Sequence, residues 1–223
     1  MRKLIITIDG PAGAGKTTAS RILAERLNYT YVDTGALYRG IAYEAKLRNI
    51  RHEDPADLEK LCRAVDLRLV FAGQGLRLLS SERDITDCIR TPEITMLASA
   101  ISAKPVVREC LFDLQRRLGA EGGAVFEGRD MGTVVFPKAD VKFFLEASVR
   151  TRALRRFGEL AGKSSQSLEE VEADIMRRDQ NDSTRAVAPL KPAEDAIVID
   201  STLLSITEVV DRMLMEIHGK HGR

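Results

Sequence analysis

The stretch Gly10-Pro11-Ala12-Gly13-Ala14-Gly15-Lys16-Thr17 decides the fold of this chain. Before it lies the short apolar run Leu4-Ile5-Ile6-Thr7-Ile8, which is rich in β-branched residues and predicts a buried strand. After it, residues 16–27 carry apolar side chains at helical spacing. The order of strand, glycine-rich turn and helix predicts the first unit of an α/β domain.

The same stretch fits the pattern G-x-x-x-x-G-K-[ST], the Walker A motif or P-loop. Its glycines let the backbone curl so that successive N–H groups converge on phosphate oxygens, and the following helix points its positive end at the same anion. In such a loop Lys16 reaches the β- and γ-phosphates, and the Thr17 hydroxyl binds Mg²⁺. The alternative is a strand–helix turn that binds nothing. We expect a nucleoside triphosphate site formed by Gly10, Pro11, Ala12, Gly13, Ala14, Gly15, Lys16, Thr17 and Thr18.

Strands and helices alternate through most of the remaining chain. Further strands are predicted at 31–33, 124–127, 141–145 and 196–200. Helices are predicted at 36–47 with Thr34 as a cap, at 92–119, at 148–160, and at 206–217. The capping-box pattern Ser167-x-x-Glu170 opens one more, to about Asp179. This order predicts a mostly parallel central sheet with helices on both faces.

The middle of the chain has a different pattern of predicted elements. Residues 65–72 and 76–85 read as two strands around the turn Gly73-Gln74-Gly75, because a parallel crossover would need a longer connection. We therefore expect an antiparallel insert over about residues 60–90. The polar stretch Gly162–Gln166 predicts a mobile loop.

Composition excludes several classes of protein. The 223 residues carry 34 Lys+Arg against 33 Asp+Glu, a net charge of +1, which argues against a protein that coats nucleic acid. No apolar run approaches a membrane span, and the first residues do not resemble a signal peptide. Cys62, Cys88 and Cys110 lack metal-ligand spacing, so we expect reduced, buried thiols in a cytoplasmic protein.

The P-loop alone leaves the reaction open. A GTP switch would carry an Asn-Lys-x-Asp motif, which the sequence lacks. The apolar strands that end in an acid reach Glu127, Glu146 and Asp200, each without the second adjacent acid typical of a motor ATPase. A short chain with an insert and an Arg-rich late segment favours a phosphotransferase with a lid. The alternatives are a small P-loop kinase for UMP or a non-nucleotide alcohol, and a binding protein switched by slow hydrolysis.

Three further stretches resemble those of the bacterial cytidylate kinases: 33–39 (DTGALYR), 128–137 (GRDMGTVVFP) and 185–190 (RAVAPL). The resemblance implies a single P-loop nucleoside monophosphate (NMP) kinase domain over 1–223. It also implies a core at about 1–35, 120–147 and 186–223, an NMP-binding region at about 36–119, and a lid at about 148–185. The implied activity is Mg²⁺- and ATP-dependent phosphorylation of CMP and dCMP by a monomer that needs neither nucleic acid nor membrane.

The resemblance also assigns residues to the acceptor nucleotide. Arg39, Arg129 and Arg185 match positions that bind its phosphate, where guanidinium forks suit the oxygens. A carboxylate that accepts from the cytosine N4 amine and an Arg that donates to N3 and O2 would select cytosine over uracil. Asp130 and Arg108 match those positions, although Asp130 could instead pair structurally with Arg129.

The remaining assignments are secondary contacts. Ser99 matches a further contact to the base, and Arg178 and Asp182 match positions near the ribose. Asp33 would hold metal-bound water or touch the acceptor, so the expected catalytic set is Lys16, Asp33, Arg129 and Arg185. Arg152 and Arg156 match lid residues that close over ATP, against the alternative of a solvated helix with internal ion pairs.

Overall fold

The computed structural model describes residues 3–72, 75–161 and 165–221. They form two compact units: unit 1 contains Met1–Tyr31 and Glu121–Arg223, and unit 2 contains Val32–Ala120. Residues 73–74 of the predicted hairpin turn and 162–164 of the predicted polar loop lie outside the described residues. The functional division into core, NMP-binding region and lid stays a prediction.

The described strands are β1 (Ile5–Asp9), β2 (Thr30–Asp33), β3 (Leu67–Ala72), β4 (Gly75–Ser80), β5 (Arg83–Asp84), β6 (Ala124–Gly128), β7 (Val141–Glu146) and β8 (Ile197–Asp200). The described α-helices are α1 (Lys16–Leu27), α2 (Thr34–Leu47), α3 (Pro55–Ala64), α4 (Pro92–Ile101), α5 (Pro105–Leu118), α6 (Val149–Leu160), α7 (Leu168–Thr184) and α8 (Ile206–His221). A 3₁₀ turn at Cys88–Arg90 and a π-helical turn at Met131–Val135 complete the regular elements.

Unit 1 is built on a sheet with strand order β2-β6-β1-β7-β8. Strand β1 pairs in parallel with β6 on one side and β7 on the other, and β7 pairs in parallel with β8. The register sets Ile6 beside Val125 and Val141, and all three are buried. Side chains of α1 and α8 pack on this core, so the predicted mostly parallel sheet is confirmed. Parallel strands place their carboxyl ends at one edge, which is where the loops after β1 and β6 begin.

Unit 2 combines helices α2–α5 with a small antiparallel sheet, β3-β4-β5. The predicted hairpin is confirmed, with Leu69 paired to Leu78. The predicted single strand 76–85 was wrong, because Ser81 turns the chain with a φ of +52° and its N–H bonds the carbonyl of Asp66. The chain after this turn forms the separate strand β5.

Helix boundaries differ from prediction where a cap or a proline decides them. Asp33, not Thr34, caps α2, since its carboxylate accepts the N–H of Ala36. The predicted helix 92–119 is two helices, because Pro105 forces Lys104 into an extended conformation. Helix α3 was not predicted, although Asp54 followed by proline at the first helical position is a strong start signal.

The late helices extend beyond their predicted ends. The capping box at Ser167 and Glu170 is confirmed, and α7 continues to Thr184 rather than ending near Asp179. Ser205 and Glu208 make the same reciprocal contacts before α8. The three cysteines are free, as expected, but half-buried rather than buried. Within the described ranges, none of the helices has the length and apolarity to cross a membrane.

Two helical glycines, Gly158 in unit 1 and Gly40 in unit 2, provide a test of packing. We expect Gly158→Ala in α6 to raise the free energy of unfolding by about 0.5–1 kcal/mol, because a Cβ there meets nothing within 4 Å. Gly40→Ala in α2 gains the same helix propensity, but its Cβ would lie 2.9 Å from Cδ2 of the buried Leu78. We expect a net loss of about 1 kcal/mol, since overpacking a core outweighs propensity. Urea denaturation of both variants decides, and equal stabilisation by the two would contradict the packing described here.

Candidate active site

The glycines of the predicted phosphate loop hold backbone conformations that other residues avoid. Gly10 has a φ of +146°, and a Cβ there would lie 2.0 Å from the carbonyl oxygen of Leu145 in β7. Gly13 and Gly15 have φ of +76° and +91°, and Gly15 caps α1 in the left-handed region. The loop therefore turns directly over the end of β7, and only glycine permits the first step of that turn.

Three cations bind carbonyl oxygens of this loop. Lys16 Nζ donates to the carbonyl of Pro11 at 2.6 Å, Arg152 Nη1 to Ala12 at 3.1 Å, and Arg155 Nη1 to Ala14 at 3.4 Å. A carbonyl and the next N–H point to opposite sides of a trans peptide. The N–H groups that follow these carbonyls consequently face away from the three cations, in the arrangement that an anion-binding loop requires.

The lid candidates have different surroundings. Arg152 is buried, bonds the carbonyl of Ala147 as well, and pairs with Asp179 at 2.6 Å. Arg155, which belongs to the same Arg-rich run of the predicted lid, also donates to the carbonyl and hydroxyl oxygens of Ser201. Arg156 is exposed and pairs with Glu159 at 2.8 Å, as a solvated helix predicts. The contact of Arg152 and Arg156 with ATP stays a prediction.

Lys16 lies in a strongly cationic environment. Burial lowers the pKa of its ammonium well below the usual value, Arg129 and Arg178 lower it further, and the carboxylates of Glu127 and Asp9 act in the opposite direction. Gathering like charges in a buried place costs free energy unless an anion joins them. Lys16, Arg129 and Arg178, all of them predicted site residues, therefore form a group suited to a polyanion.

Thr17 is held by a carboxylate that sequence reasoning missed. Its hydroxyl donates to Glu127 Oε1 at 2.9 Å, and Tyr31 donates to Oε2 of the same group at 2.9 Å. Glu127 stands near the end of β6 and is buried. A hydroxyl beside a carboxylate is the oxygen donor set that Mg²⁺ takes when phosphates supply the other ligands. In the described part of the chain no three acidic, His or Cys side chains cluster as a metal cage.

Arg129, Asp130, Asp182 and Arg185 meet in one charged group. Arg129 Nε donates to Asp182 Oδ2 at 2.9 Å, and Arg185 Nη2 lies 3.6 Å from Asp130 Oδ1. Burial would raise the pKa of Asp182, but Arg129, Arg178 and Arg185 together hold it below the ordinary value. Asp130 thus has Arg185 as an ion-pair partner.

Asp9 anchors the segment that follows this group. The N–H groups of Met131 and Gly132 donate to its two carboxylate oxygens at 2.9 and 2.7 Å. The π-helical turn begins at Met131, one residue after Asp130. Burial raises the pKa of Asp9 to about 6, with the two backbone hydrogen bonds opposing the rise and Asp130 adding to it.

Unit 2 holds Asp33, Arg39, Ser99 and Arg108. Arg39 Nη2 donates to Asp33 Oδ2 at 2.6 Å, and Arg90 Nη2 lies 3.9 Å from the same oxygen. Two guanidinium groups thus face one carboxylate. Among the described residues, nothing accepts a hydrogen bond from the buried Nε of Arg39. A buried donor of this kind is satisfied when a ligand oxygen binds.

Contacts within unit 2 hold the Arg108 side chain in place. It is buried, donates from Nη1 to the carbonyl of Ser102 at 3.2 Å, and its guanidinium lies 5.8 Å from the ring centre of Tyr38. The hydroxyl of Ser102 in turn bonds the carbonyl of Ser99 at 2.8 Å. The buried Oγ of Ser99 has no hydrogen-bond partner among the described residues. Arg108 and Ser99 are thereby tied to one loop through Ser102.

Known proteins are similar to this chain over most of its length. A model of the cytidylate kinase family matches residues 6–219. The cytidylate kinase of Geobacter sulfurreducens is 51% identical over 95% of this chain and 91% of its own length. That of Carboxydothermus hydrogenoformans is 47% identical over 96% of this chain and 97% of its own.

Solved structures share the fold at low identity. The shikimate kinase of Acinetobacter baumannii, solved with shikimate, has a TM-score of 0.50 and 15% identity, covering 99% of this chain and 96% of its own. An uncharacterized protein of Eubacterium ventriosum has a TM-score of 0.53 and 11% identity, covering 96% and 98%. At such identities the likeness concerns the fold alone.

The anchor at Asp9 predicts a specific pH dependence of stability. Its pKa is raised from 3.8 to about 6, so the protonated form is favoured on folding, and this contribution is lost as the pH rises through about 6. At about 1.4 kcal/mol per pKa unit, ionisation of Asp9 costs roughly 3 kcal/mol. Between about pH 4 and pH 7, we expect the free energy of unfolding of the natural protein to fall by that amount relative to Asp9→Asn. Urea denaturation at stepped pH measures it, and a constant difference between the two proteins would show that Asp9 carries no such shift.

Proposed function

This chain belongs to the cytidylate kinase family, and we propose how its own residues carry out the ATP-dependent phosphorylation of CMP. The observation that carries the proposal is the buried Lys16 beside Arg129 and Arg178, under a loop whose carbonyls are bound by cations. Relatives at 44–51% identity over nearly the whole chain do not favour the alternatives, a kinase for another acceptor or a slow switch.

The phosphate loop takes the donor nucleotide. The N–H groups after Pro11, Ala12 and Ala14 bind ATP phosphate oxygens, and Lys16 moves from the Pro11 carbonyl to the β- and γ-phosphates. Mg²⁺ would be held by Thr17, with Glu127 beside it, and supplies positive charge that neutralises the phosphates when bound. Thr18 and the glycines of the loop complete the ATP site.

Arginines take the acceptor phosphate. We assign this role to Arg39, Arg129 and Arg185. Each already has a carboxylate partner, Asp33, Asp182 and Asp130 respectively. These pairings keep the guanidinium groups oriented before the substrate binds, which lowers the entropy cost of the complex. The phosphate oxygen that attacks is already anionic, so the transfer is direct and in line, without a covalent intermediate.

Recognition of the base and sugar uses the remaining polar residues. Asp130 beside the cationic Arg185 is suited to accept the cytosine N4 amine, and Arg108 donates to N3 and O2 with Ser99 as a further contact. Asp182, kept ionised by its three arginines, accepts a ribose hydroxyl next to Arg178. Use of dCMP requires that this ribose contact is not essential.

The proposal also covers the lid residues and the location and oligomeric state of the protein. Of the two lid candidates on α6, we assign to Arg156 the shielding of the ATP phosphates from water, which otherwise competes with transfer. Arg152, buried against the Ala12 carbonyl, supports the loop instead. The protein acts as a cytoplasmic monomer on free nucleotides, and its net charge of +1 supports the expectation that it does not coat nucleic acid.

A coupled assay of ADP release over CMP, dCMP, UMP, AMP and GMP tests the function. We expect turnover with CMP and dCMP well above that with UMP. Equal use of CMP and UMP would contradict the base-reading proposal, and ADP release that ignores every acceptor would favour the slow switch.

Lys16→Ala should depress turnover with every acceptor by a factor on the order of 10²–10³, because one transition-state charge contact is lost. Lys142→Ala is the matched control, since Lys142 is also buried and its Nζ donates at 2.6 Å to the carbonyl five residues before it, as Lys16 does. Steady-state kinetics of both variants measure the difference. An equal effect of the two substitutions would remove Lys16 from the catalytic set.

Asp130→Ala should lower kcat/KM for CMP far more than it weakens ATP binding, because its proposed partner is the cytosine amine. Asp195→Ala removes the same charge from an ion pair with Lys142 and should change neither quantity by much. Kinetics with CMP and calorimetry with ATP separate the two effects. If a folded Asp130→Ala loses both equally, Asp130 is a structural partner of Arg185.

A further inference from the structure

Two of the three cysteines lie against each other in unit 2. Cys62 is on α3 and Cys110 is on α5, 48 residues apart, and the Cys110 thiol donates to the backbone carbonyl of Cys62 at 3.6 Å. The two thiols are close enough for each to shift the pKa of the other. Both side chains pack on the core of unit 2 from its edge and are half-buried. The kinase reaction derived above uses neither of them.

We propose that Cys62 and Cys110 form an oxidation site, at which a hydroperoxide or a similar two-electron oxidant closes an intramolecular disulfide between α3 and α5. Because the Cys110 sulfur already contacts the backbone of Cys62, side-chain rotation and an approach of the two packed helices bring the sulfurs to the S–S length of about 2.05 Å. Their half-buried position leaves room for a small oxidant and excludes a large one.

The electrons and atoms balance with the peroxide as the oxidant. The Cys110 thiolate attacks one peroxide oxygen, the O–O bond breaks, and Cys110 becomes a sulfenic acid while the second oxygen leaves as water or an alcohol. The Cys62 sulfur then attacks the Cys110 sulfur, the S–O bond breaks, and the hydroxyl leaves as water with the Cys62 proton. Two thiols are oxidised by two electrons, and the peroxide is reduced.

The local contacts decide which sulfur reacts first. The contact with Cys62 lowers the pKa of the Cys110 thiol, whereas the same contact and burial raise the pKa of the Cys62 thiol. We therefore assign the first loss of a proton from the pair to the Cys110 thiol. Since the thiolate is the nucleophile, Cys110 is the attacking sulfur and Cys62 the resolving one.

The position of the pair connects it to the acceptor nucleotide. Arg108, proposed to read cytosine, lies on α5 two residues before Cys110. A disulfide draws α5 toward α3 and constrains the helix that carries Arg108. We expect oxidation to lower kcat/KM for CMP several-fold and to spare ATP binding, a consequence that rests on the proposed function.

The test is a count of thiols before and after treatment with hydrogen peroxide or diamide. The natural protein should fall from three free thiols to one and remain a monomer on a non-reducing gel. Cys88→Ser is the matched control, because Cys88 is as half-buried as the pair, and it should fall from two thiols to none. Cys62→Ser and Cys110→Ser should each keep two thiols under diamide.

Peptide mapping of the oxidised natural protein needs no variant and should find residues 62 and 110 in one cross-linked peptide. Three surviving thiols, a link through Cys88 or a covalent dimer would each overturn the proposal. The activity measurement is separate: a disulfide that leaves CMP use unchanged refutes the coupling to Arg108. A protein inactive on CMP even when reduced refutes the proposed function and leaves the thiol count standing.

Discussion

The structure depends on contacts on the carbonyl side of the phosphate loop, opposite its N–H groups, where cations bind backbone carbonyls. Arg152 and Arg155 take the carbonyls of Ala12 and Ala14, so the N–H groups that follow those carbonyls are turned to the opposite side of the loop. The two arginines come from α6, which ties the late part of the chain to its first loop. A cradle organised in this way needs little rearrangement when the anion binds, and preorganisation of this kind is a main source of catalytic electrostatics.

The protein is almost neutral overall but carries a local concentration of positive charge near its phosphate loop. The net charge is +1, yet the first unit gathers Lys16, Arg129 and Arg178 in a buried group. Carboxylates offset part of that charge and orient the guanidinium groups, as Asp182 does for Arg129. In the proposed function, this arrangement would bind two small polyanions without creating the broad basic field that attracts nucleic acid.

Sequence reasoning succeeded where a local pattern determines the structure and failed where distant residues meet. The strand, glycine turn and helix around Gly10–Thr17, the β3–β4 hairpin and the Ser167 capping box are all local, and all were confirmed. Thr34 was predicted as the cap of α2, but the structure has Asp33 in that position. Both residue types can cap a helix, so the local pattern does not distinguish them. The contacts of Glu127 with Thr17 and of Arg155 with Ala14 were not predicted, because the partners lie 110 and 141 residues apart and meet only in the folded chain.

The central claim is that cations on the carbonyl side of the loop prepare it for ATP, and a calorimetric titration of ATP into Arg155→Ala tests it most directly. Arg155 bonds the Ala14 carbonyl and Ser201, and a hydrogen bond to a charged group contributes about 1.5–3 kcal/mol. We expect the Kd for ATP to rise about tenfold or more while the Kd for CMP stays unchanged. Arg150→Ala, on the same helix but exposed and paired with Glu172, should bind ATP normally. An unchanged ATP affinity in Arg155→Ala would contradict the account.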